Sequence, residues 1–185
     1  VSEAGGVRLM ERRDLAGYAR IINWSVRELS ANFQTSEITP AEAERVWAGR
    51  RERHPTFVAE AGGEIAGASW ASPWKPKEAY AWTAEVSVYV LPVFQGRGLA
   101  RRLYERLFRT LEAQGYRTLL AGIVVPNEAS VRLHESFGMK PAGVLTGAGF
   151  KMNAWRDVGY WVRRFGDDAP PGPIHTVESV LSEET

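Results

Sequence analysis

Residues 84–107 read AEVSVYVLPVFQGRGLARRLYERL, and this stretch decides the fold. Its first part is an apolar strand, and Gln95-Gly96-Arg97-Gly98 is a glycine-rich turn. Leu99, Leu103, Leu107 and Leu111 then recur at helical spacing up to a stop at Gly115. A turn of this kind entering a helix aims several backbone N–H groups at one point and adds the helix dipole, which suits a pyrophosphate. Arg97, Arg101 and Arg102 place cationic side chains near the same turn. A plain tight turn with solvated arginines would use the same residues. Two common phosphate-binding patterns drop out: Arg101 stands where the dinucleotide fingerprint has its third glycine, and no Gly-Lys-Ser/Thr follows.

Outward from this turn, TFVAEA (56–61) and EIAGASWAS (64–72) predict a hairpin about Gly62-Gly63, and WKPKEAYAW (74–82) is a loop. Further upstream lie a short strand over Val7–Glu11 and two helices. Asp14 caps the first, which carries Leu15, Tyr18, Ile22 and Val26 and ends near Ser30. Thr39, Pro40 and Glu42 form the start of the second, which runs towards Arg53. Downstream, Thr118–Val125 is a nearly unbroken apolar strand, as expected for one buried on both faces, and Asn127 caps a helix ending before Gly138. MKPAGVLTGAGFKM (139–152) and AWRDVGYWVRRF (154–165) are two more strand candidates. Residues 1–166 are thus one domain. Asp167, Asp168, three prolines and a polar end predict a poorly ordered tail over 167–185.

A chain of 185 residues needs no staple to hold a core, since it buries on the order of 70% of its unfolded surface. It has no cysteine, which excludes disulfides, thiolate metal sites and thiol catalysis and agrees with a cytoplasmic setting. Lys and Arg total 23 against 22 for Asp and Glu, so nothing favours nucleic acid or a membrane surface as partner. The N-terminal stretch lacks the apolar core of a signal peptide, and no apolar run approaches membrane-spanning length. Seven tryptophans without an interleaved basic stripe read as core or interface; Trp155 and Trp161 share one face of the last strand candidate and suggest a dimer seam. His54 and His175 have no partnered spacing, so no metal site is expected.

QGRGLA matches the acetyl-CoA turn, Gln/Arg-x-x-Gly-x-Gly/Ala, of the GCN5-related N-acetyltransferase (GNAT) superfamily. NFQTSEITP, PWKPKEAYAWTAEVSVYV, QGRGLARRLYERL, PNEASVRLHESFGM and AGFKMNAWRDVGYW together resemble the phosphinothricin and methionine sulfoximine acetyltransferases, over roughly Val7 to Phe165. The resemblance implies an α+β fold with a central mixed, mostly antiparallel sheet flanked by helices and splayed where acetyl-CoA inserts. It also implies a homodimer, and transfer of acetyl to the amino group of a small acidic amino acid or glutamate analogue. The backbone at Val88, Tyr89 and Val90 would bind pantetheine and polarise the thioester. The turn Gln95, Gly96, Arg97, Gly98, Leu99, Ala100 and Arg101 would take the pyrophosphate. Asn127 and Ser130 are further cofactor candidates, though capping alone accounts for Asn127.

An ammonium has no lone pair to attack a thioester, so acetylating an amine requires a proton acceptor. Glu85 sits on an otherwise apolar strand, where a carboxylate is costly unless it has a task; a surface glutamate on an edge strand is the plain alternative. The resemblance places Glu85 at the family's general base, acting directly or through water. It places His134 where many relatives carry a tyrosine that protonates the leaving thiolate. His134 would assist proton transfer or bind substrate, or is simply a half-buried histidine; Tyr89 and Tyr104 are alternative acids. For the acceptor, the candidates are Asn32, Phe33, Trp74, Lys75, Pro76, Lys77, Tyr80, Thr83, Ala84 and Glu85. Two lysines amid aromatics suit an anionic amino acid, or form an ordinary solvated loop. Lys77 replaces an arginine of some family members, which argues against bidentate phosphinate recognition there. Peptide, protein or polyamine acetylation and a non-catalytic acyl-CoA sensor are the alternative functions.

Overall fold

The computed structural model of the chain describes residues 6–183. The strands are β1 (Val7–Leu9), β2 (Thr56–Ala61), β3 (Glu64–Pro73), β4 (Thr83–Val90), β5 (Thr118–Val125), β6 (Lys140–Lys151) and β7 (Ala154–Arg164). They form one sheet in the order β1-β2-β3-β4-β5-β7-β6, antiparallel throughout except for β4 and β5. The helices are α1 (Leu15–Glu28), α2 (Pro40–Arg50), α3 (Leu99–Gln114), α4 (Glu128–Ser136) and α5 (Val177–Ser182). This is the α+β architecture expected, a mixed and mostly antiparallel sheet with helices on both faces.

Two apolar layers hold the sheet. On one face, Leu99, Leu103, Leu107 and Leu111 of α3 are all buried against Phe57, Val86 and Leu119. Burial of this kind is worth roughly 1.5–3 kcal/mol per leucine, enough to dock the helix firmly. On the other face, Tyr18, Ile21, Ile22 and Val26 of α1 join Trp47 of α2 over Val58 and Ala68. The start of α2 follows its sequence signature: Thr39 Oγ1 accepts the Glu42 N–H at 3.2 Å, and Glu42 Oε2 accepts the Thr39 N–H at 2.7 Å. The helix stops at Arg50 rather than Arg53.

Three expectations change. Asp14 does not cap α1; its buried carboxylate takes two hydrogen bonds from Arg8, at 2.6 and 2.8 Å, and one from the Glu11 N–H at 2.8 Å. A guanidinium fork outcompetes a helix N-terminus for the same oxygens. Among the described residues after Gly166, the chain is docked at His175–Val180 rather than loose. Gln114 Nε2 donates to the His175 carbonyl at 2.9 Å, and the His175 N–H returns a bond to the Gln114 carbonyl. Val177 and Val180 of α5 are buried, so a few apolar residues among the polar ones decide the segment's placement. Trp155 and Trp161 do not form one seam: Trp161 is buried in the core, whereas Trp155 is exposed.

The sheet has one discontinuity. β4 and β5 pair in parallel only over Thr83–Glu85 against Thr118–Leu120, and from there to Val90 and Val125 the two strands diverge. No helix of the described residues is long and apolar enough to cross a membrane.

Candidate active site

The divergence of β4 from β5 leaves one edge of β4 without a strand partner. Leu91 N–H donates to the Ala66 carbonyl, and Tyr89 stands opposite Ala68 in the β3 ladder. Backbone groups along an antiparallel strand alternate sides, so Tyr89 and Ser87 spend theirs on β3, whereas Val88 and Val90, beyond the last β4–β5 pair at Glu85 and Leu120, aim theirs into the gap. Tyr89 therefore meets the cleft through its side chain, and Val88 and Val90 through their backbone. Gln95 Nε2 donates to the Val90 carbonyl at 2.9 Å, tying the turn to the end of β4.

The turn takes the shape its glycines permit. Gly96 and Gly98 have φ of +73° and +75°, and Gly98 is the N-cap of α3 with no side-chain cap. A Cβ at either position would meet nothing within 4 Å, so these glycines are required by their backbone angles rather than by crowding. The uncapped N–H groups of α3 face open space, the arrangement that accepts a phosphate. Gln95, Gly96, Gly98, Leu99, Ala100 and Arg101 line a cleft of about 460 Å3 together with Val88, Tyr89, Val90, Asn127, Ser130 and His134. Arg97 is outside this lining, its guanidinium 5.6 Å from the Phe94 ring centroid. Asn127 Oδ1 accepts the Ser130 N–H at 3.1 Å, so it does cap α4.

His134 is buried with both ring nitrogens engaged. Nδ1 lies 2.7 Å from the Ser130 carbonyl, and Nε2 lies 2.9 Å from the Tyr104 hydroxyl. A carbonyl can only accept, so Nδ1 carries the proton and Nε2 accepts from Tyr104. Burial pushes the imidazole pKa below its usual value, which keeps the ring neutral. In this state His134 offers the cleft no proton. The hydroxyl of Tyr104, also in the cleft lining, is held well above its ordinary range by burial.

A second cavity of about 450 Å3 opens on the α1 face. It is bounded by Asn32, Phe33 and Gln34 after α1, by Trp70 and Ser72 of β3, and by Glu85, Ser87 and Tyr89 of β4. Gly122 and Val124 of β5 and Leu145, Ala148, Val158 and Tyr160 of the β6–β7 hairpin complete it. Ala31, Ser87, Tyr89, Gly122 and Val124 belong to both cavities, so the two meet at the splay. Glu85 is half-buried, its Oε1 lying 3.6 Å from where a Cβ of Gly122 would be. Its carboxylate has no hydrogen bond or ion pair among the described residues. Burial raises its pKa above the usual 4.5, and Lys75 offsets this only in part.

The acceptor candidates are only partly brought together. Asn32, Phe33 and Glu85 line the second cavity. Trp74, Lys75, Pro76, Lys77 and Tyr80 lie on the outer loop, where Trp74 and Tyr80 stack edge-to-face at 5.0 Å and Lys75 Nζ lies 5.4 Å from the Trp74 ring centroid. Lys75 acts on the site through its charge. Ala84 is fully buried in the core on the other face of β4, and Thr83 is outside the lining. Ser87 also lines both cavities, and its one signal in the sequence is that it follows Glu85 at strand period. Gly122 was visible as the one residue without a side chain in an apolar run. The α1 residue Trp24 and the neighbouring Leu29, which also line the first cleft, carry no local signal. Among the described residues no group of three or more His, Cys, Asp or Glu could hold a metal ion.

Known proteins resemble this chain in sequence and in fold. The model of the Acetyltransferase (GNAT) family matches residues 18–139. The phosphinothricin N-acetyltransferase of Streptomyces viridochromogenes is 40% identical over 174 residues, covering 94% of this chain and 95% of that protein. The L-methionine sulfoximine/L-methionine sulfone acetyltransferase of Salmonella typhimurium is 29% identical over 167 residues, covering 89% and 97%. The crystal structure of a GNAT superfamily phosphinothricin acetyltransferase from Sinorhizobium meliloti, in complex with acetyl-CoA, superposes with a TM-score of 0.85 at 27% identity, covering 92% and 93%.

Proposed function

Because the chain belongs to the Acetyltransferase (GNAT) family and is an acetyl-CoA-dependent N-acetyltransferase, we propose that its acceptor is a small amino acid of the phosphinothricin or methionine sulfoximine type, acetylated on the α-amino group. The observation that carries this reading is Glu85, an unpartnered, half-buried carboxylate in the cavity that meets the cofactor cleft. The names of the relatives supply the substrate class, and a cavity of about 450 Å3 has room for an amino acid.

The first cleft suits acetyl-CoA. The uncapped start of α3 would take its pyrophosphate, with Arg101 beside it, and the free backbone edge of β4 would run along the pantetheine. Acetyl-CoA supplies the activated acyl group. At the splay, Glu85 would accept a proton from the amine, directly or through a water, so that the nitrogen attacks as free base. The N–H groups of β4 that face the gap, Val88 above all, would stabilise the oxygen of the tetrahedral adduct. Ser87, shared by the two cavities, would hold the nucleophile in line. Neutral His134 acts in this scheme as the acceptor that fixes Tyr104, and the departing thiolate takes its proton from solvent at the open cleft. Catalysis belongs to the domain that ends at residue 166, and the described residues beyond it serve as a packing appendage.

The test is CoA release measured with phosphinothricin, methionine sulfoximine, methionine sulfone, ordinary amino acids and a polyamine. The expected result is turnover confined to the amino acid analogues. Preference for the polyamine would overturn the reading, as would tight acetyl-CoA binding without turnover on any amine.

A further inference from the structure

Among the described residues no Arg or Lys side chain lines the acceptor cavity, although the acceptors proposed above carry a carboxylate. A cation tied to one wall of it is Lys151, the last residue of β6 and only 8% exposed. Its ammonium has no carboxylate partner among the described residues. It donates to two backbone carbonyls instead, those of Asn32 and of Gln34, the latter at 2.9 Å. Both belong to the segment that walls the cavity.

That segment is otherwise held tightly. Asn32 Nδ2 donates to Ser25 Oγ at 2.8 Å, Asn32 Oδ1 accepts the Gln34 N–H at 2.9 Å, and the Phe33 ring occupies the space that a Cβ at Gly149 would need. In a trans peptide the carbonyl and the N–H point in opposite directions. With the Asn32 and Gln34 carbonyls turned to Lys151, the N–H groups of Phe33 and Thr35 point away from it. Neither N–H donates to any group among the described residues. An ammonium bound to the oxygen of an amide polarises the amide and makes its N–H a stronger donor.

We propose that Lys151 is a positioning residue for the acceptor: it latches residues 32–34 over the cavity and, through the Asn32–Phe33 peptide, charges the Phe33 N–H to hold the acceptor's carboxylate. This rests on the amino acid acceptor argued above and adds where its negative group is bound. Backbone donors backed by a buried cation bind an anion without exposing a flexible side chain to the pocket. They also read a carboxylate differently from its neutral amide.

The experiment compares methionine sulfone with its carboxamide as acceptors, for the parent enzyme and for the Lys151→Gln and Lys151→Arg variants, each checked by thermal unfolding. Glutamine keeps N–H donors for the latch but removes the charge; arginine keeps both. The parent is expected to favour the carboxylate by KM. Lys151→Gln is expected to lose about tenfold of that preference, as when a charge-assisted hydrogen bond becomes a neutral one, with the KM for acetyl-CoA unchanged. Lys151→Arg is expected to keep the preference. A folded Lys151→Gln with the preference intact overturns the proposal, and so does an equal loss on both acceptors. A parent that does not distinguish acid from amide overturns it without any variant. A parent that acetylates neither overturns the amino acid reading as well, which separates the two failures.

Discussion

Replacing Glu85 by Gln keeps the shape of the side chain and removes only its ability to accept a proton. The carboxylate has no partner to lose, so the substitution leaves no donor stranded. Burial holds its pKa above 4.5, and Lys75 is the one charge that opposes the shift, which brings its basicity towards neutral pH, where a general base works best. We therefore expect kcat to fall about 10²- to 10³-fold, or about 2.7–4 kcal/mol of transition-state stabilisation, with the acceptor KM within about threefold of the parent. The pH profiles carry the sign. The parent should lose activity as pH falls through the raised pKa of Glu85, because the base is then protonated. The Glu85→Gln variant should lack that limb and gain about tenfold per pH unit as the free amine accumulates. Because the fold disfavours the ionised form of Glu85, its contribution to stability decreases as pH rises through the folded pKa, and the amide escapes this. The thermal midpoint at neutral pH should thus be no lower than that of the parent. Stopped-flow CoA release across pH measures the kinetic terms, and a kcat within about threefold of the parent, or an unchanged acid limb, refutes the assignment.

Gly98→Val puts a β-branched residue at φ +75°, at a cost of roughly 1–2 kcal/mol, and covers the open N-terminus of α3; the KM for acetyl-CoA should rise by at least about tenfold while the acceptor KM stays. Gly122→Ala narrows the junction of the two cavities; the added Cβ meets Val158, Glu85 and Tyr160 at ordinary distances of 3.5, 3.6 and 3.6 Å, so the protein should fold, and turnover should fall by more than acetyl-CoA affinity read by calorimetry. Burial, with Arg50 and Arg53 nearby, pulls the His54 pKa down to about 4, and burial lowers that of His134. The fold disfavours the cation of both, so stability should be lost as pH drops below about 6.5, the His54 share being lost down to about 4, and His54→Gln should recover roughly 5 °C of the midpoint lost there, read by calorimetry. Trp155 is 70% exposed and stacks edge-to-face on exposed Phe150; Trp155→Lys should turn an expected homodimer into a monomer in sedimentation velocity.

The turn at residues 95–100, the helix α3, the hairpin about Gly62-Gly63 and the capped start of α2 were legible from the chain itself. Each rests on contacts within a few residues: positive φ at a glycine, a capping box, or leucines at helical spacing. Glu85 was legible for a related reason, a lone carboxylate in an apolar strand being costly wherever it lies. Local signals failed at Asp14, where Arg8 competed for the carboxylate, and after Gly166, where two valines outweighed the surrounding polar and proline residues. They also placed Trp155 and Trp161 on one seam, whereas Trp161 is 8% exposed and in the core.

Tertiary structure alone decided the site. The parting of β4 from β5 after Glu85 depends on pairing between segments as distant in sequence as Thr83 and Thr118, and it alone leaves the Val88 N–H open to the gap. The acceptor cavity draws on the segment after α1, on β3, β4 and β5, and on the β6–β7 hairpin, and the Lys151 ammonium reaches back over a hundred residues to the Asn32 and Gln34 carbonyls. Sequence determines what each residue prefers from its neighbours along the chain. Which carboxylate is left unpartnered, which backbone edge stays open and which cation is buried against which loop are set by packing between distant segments, where no local rule applies.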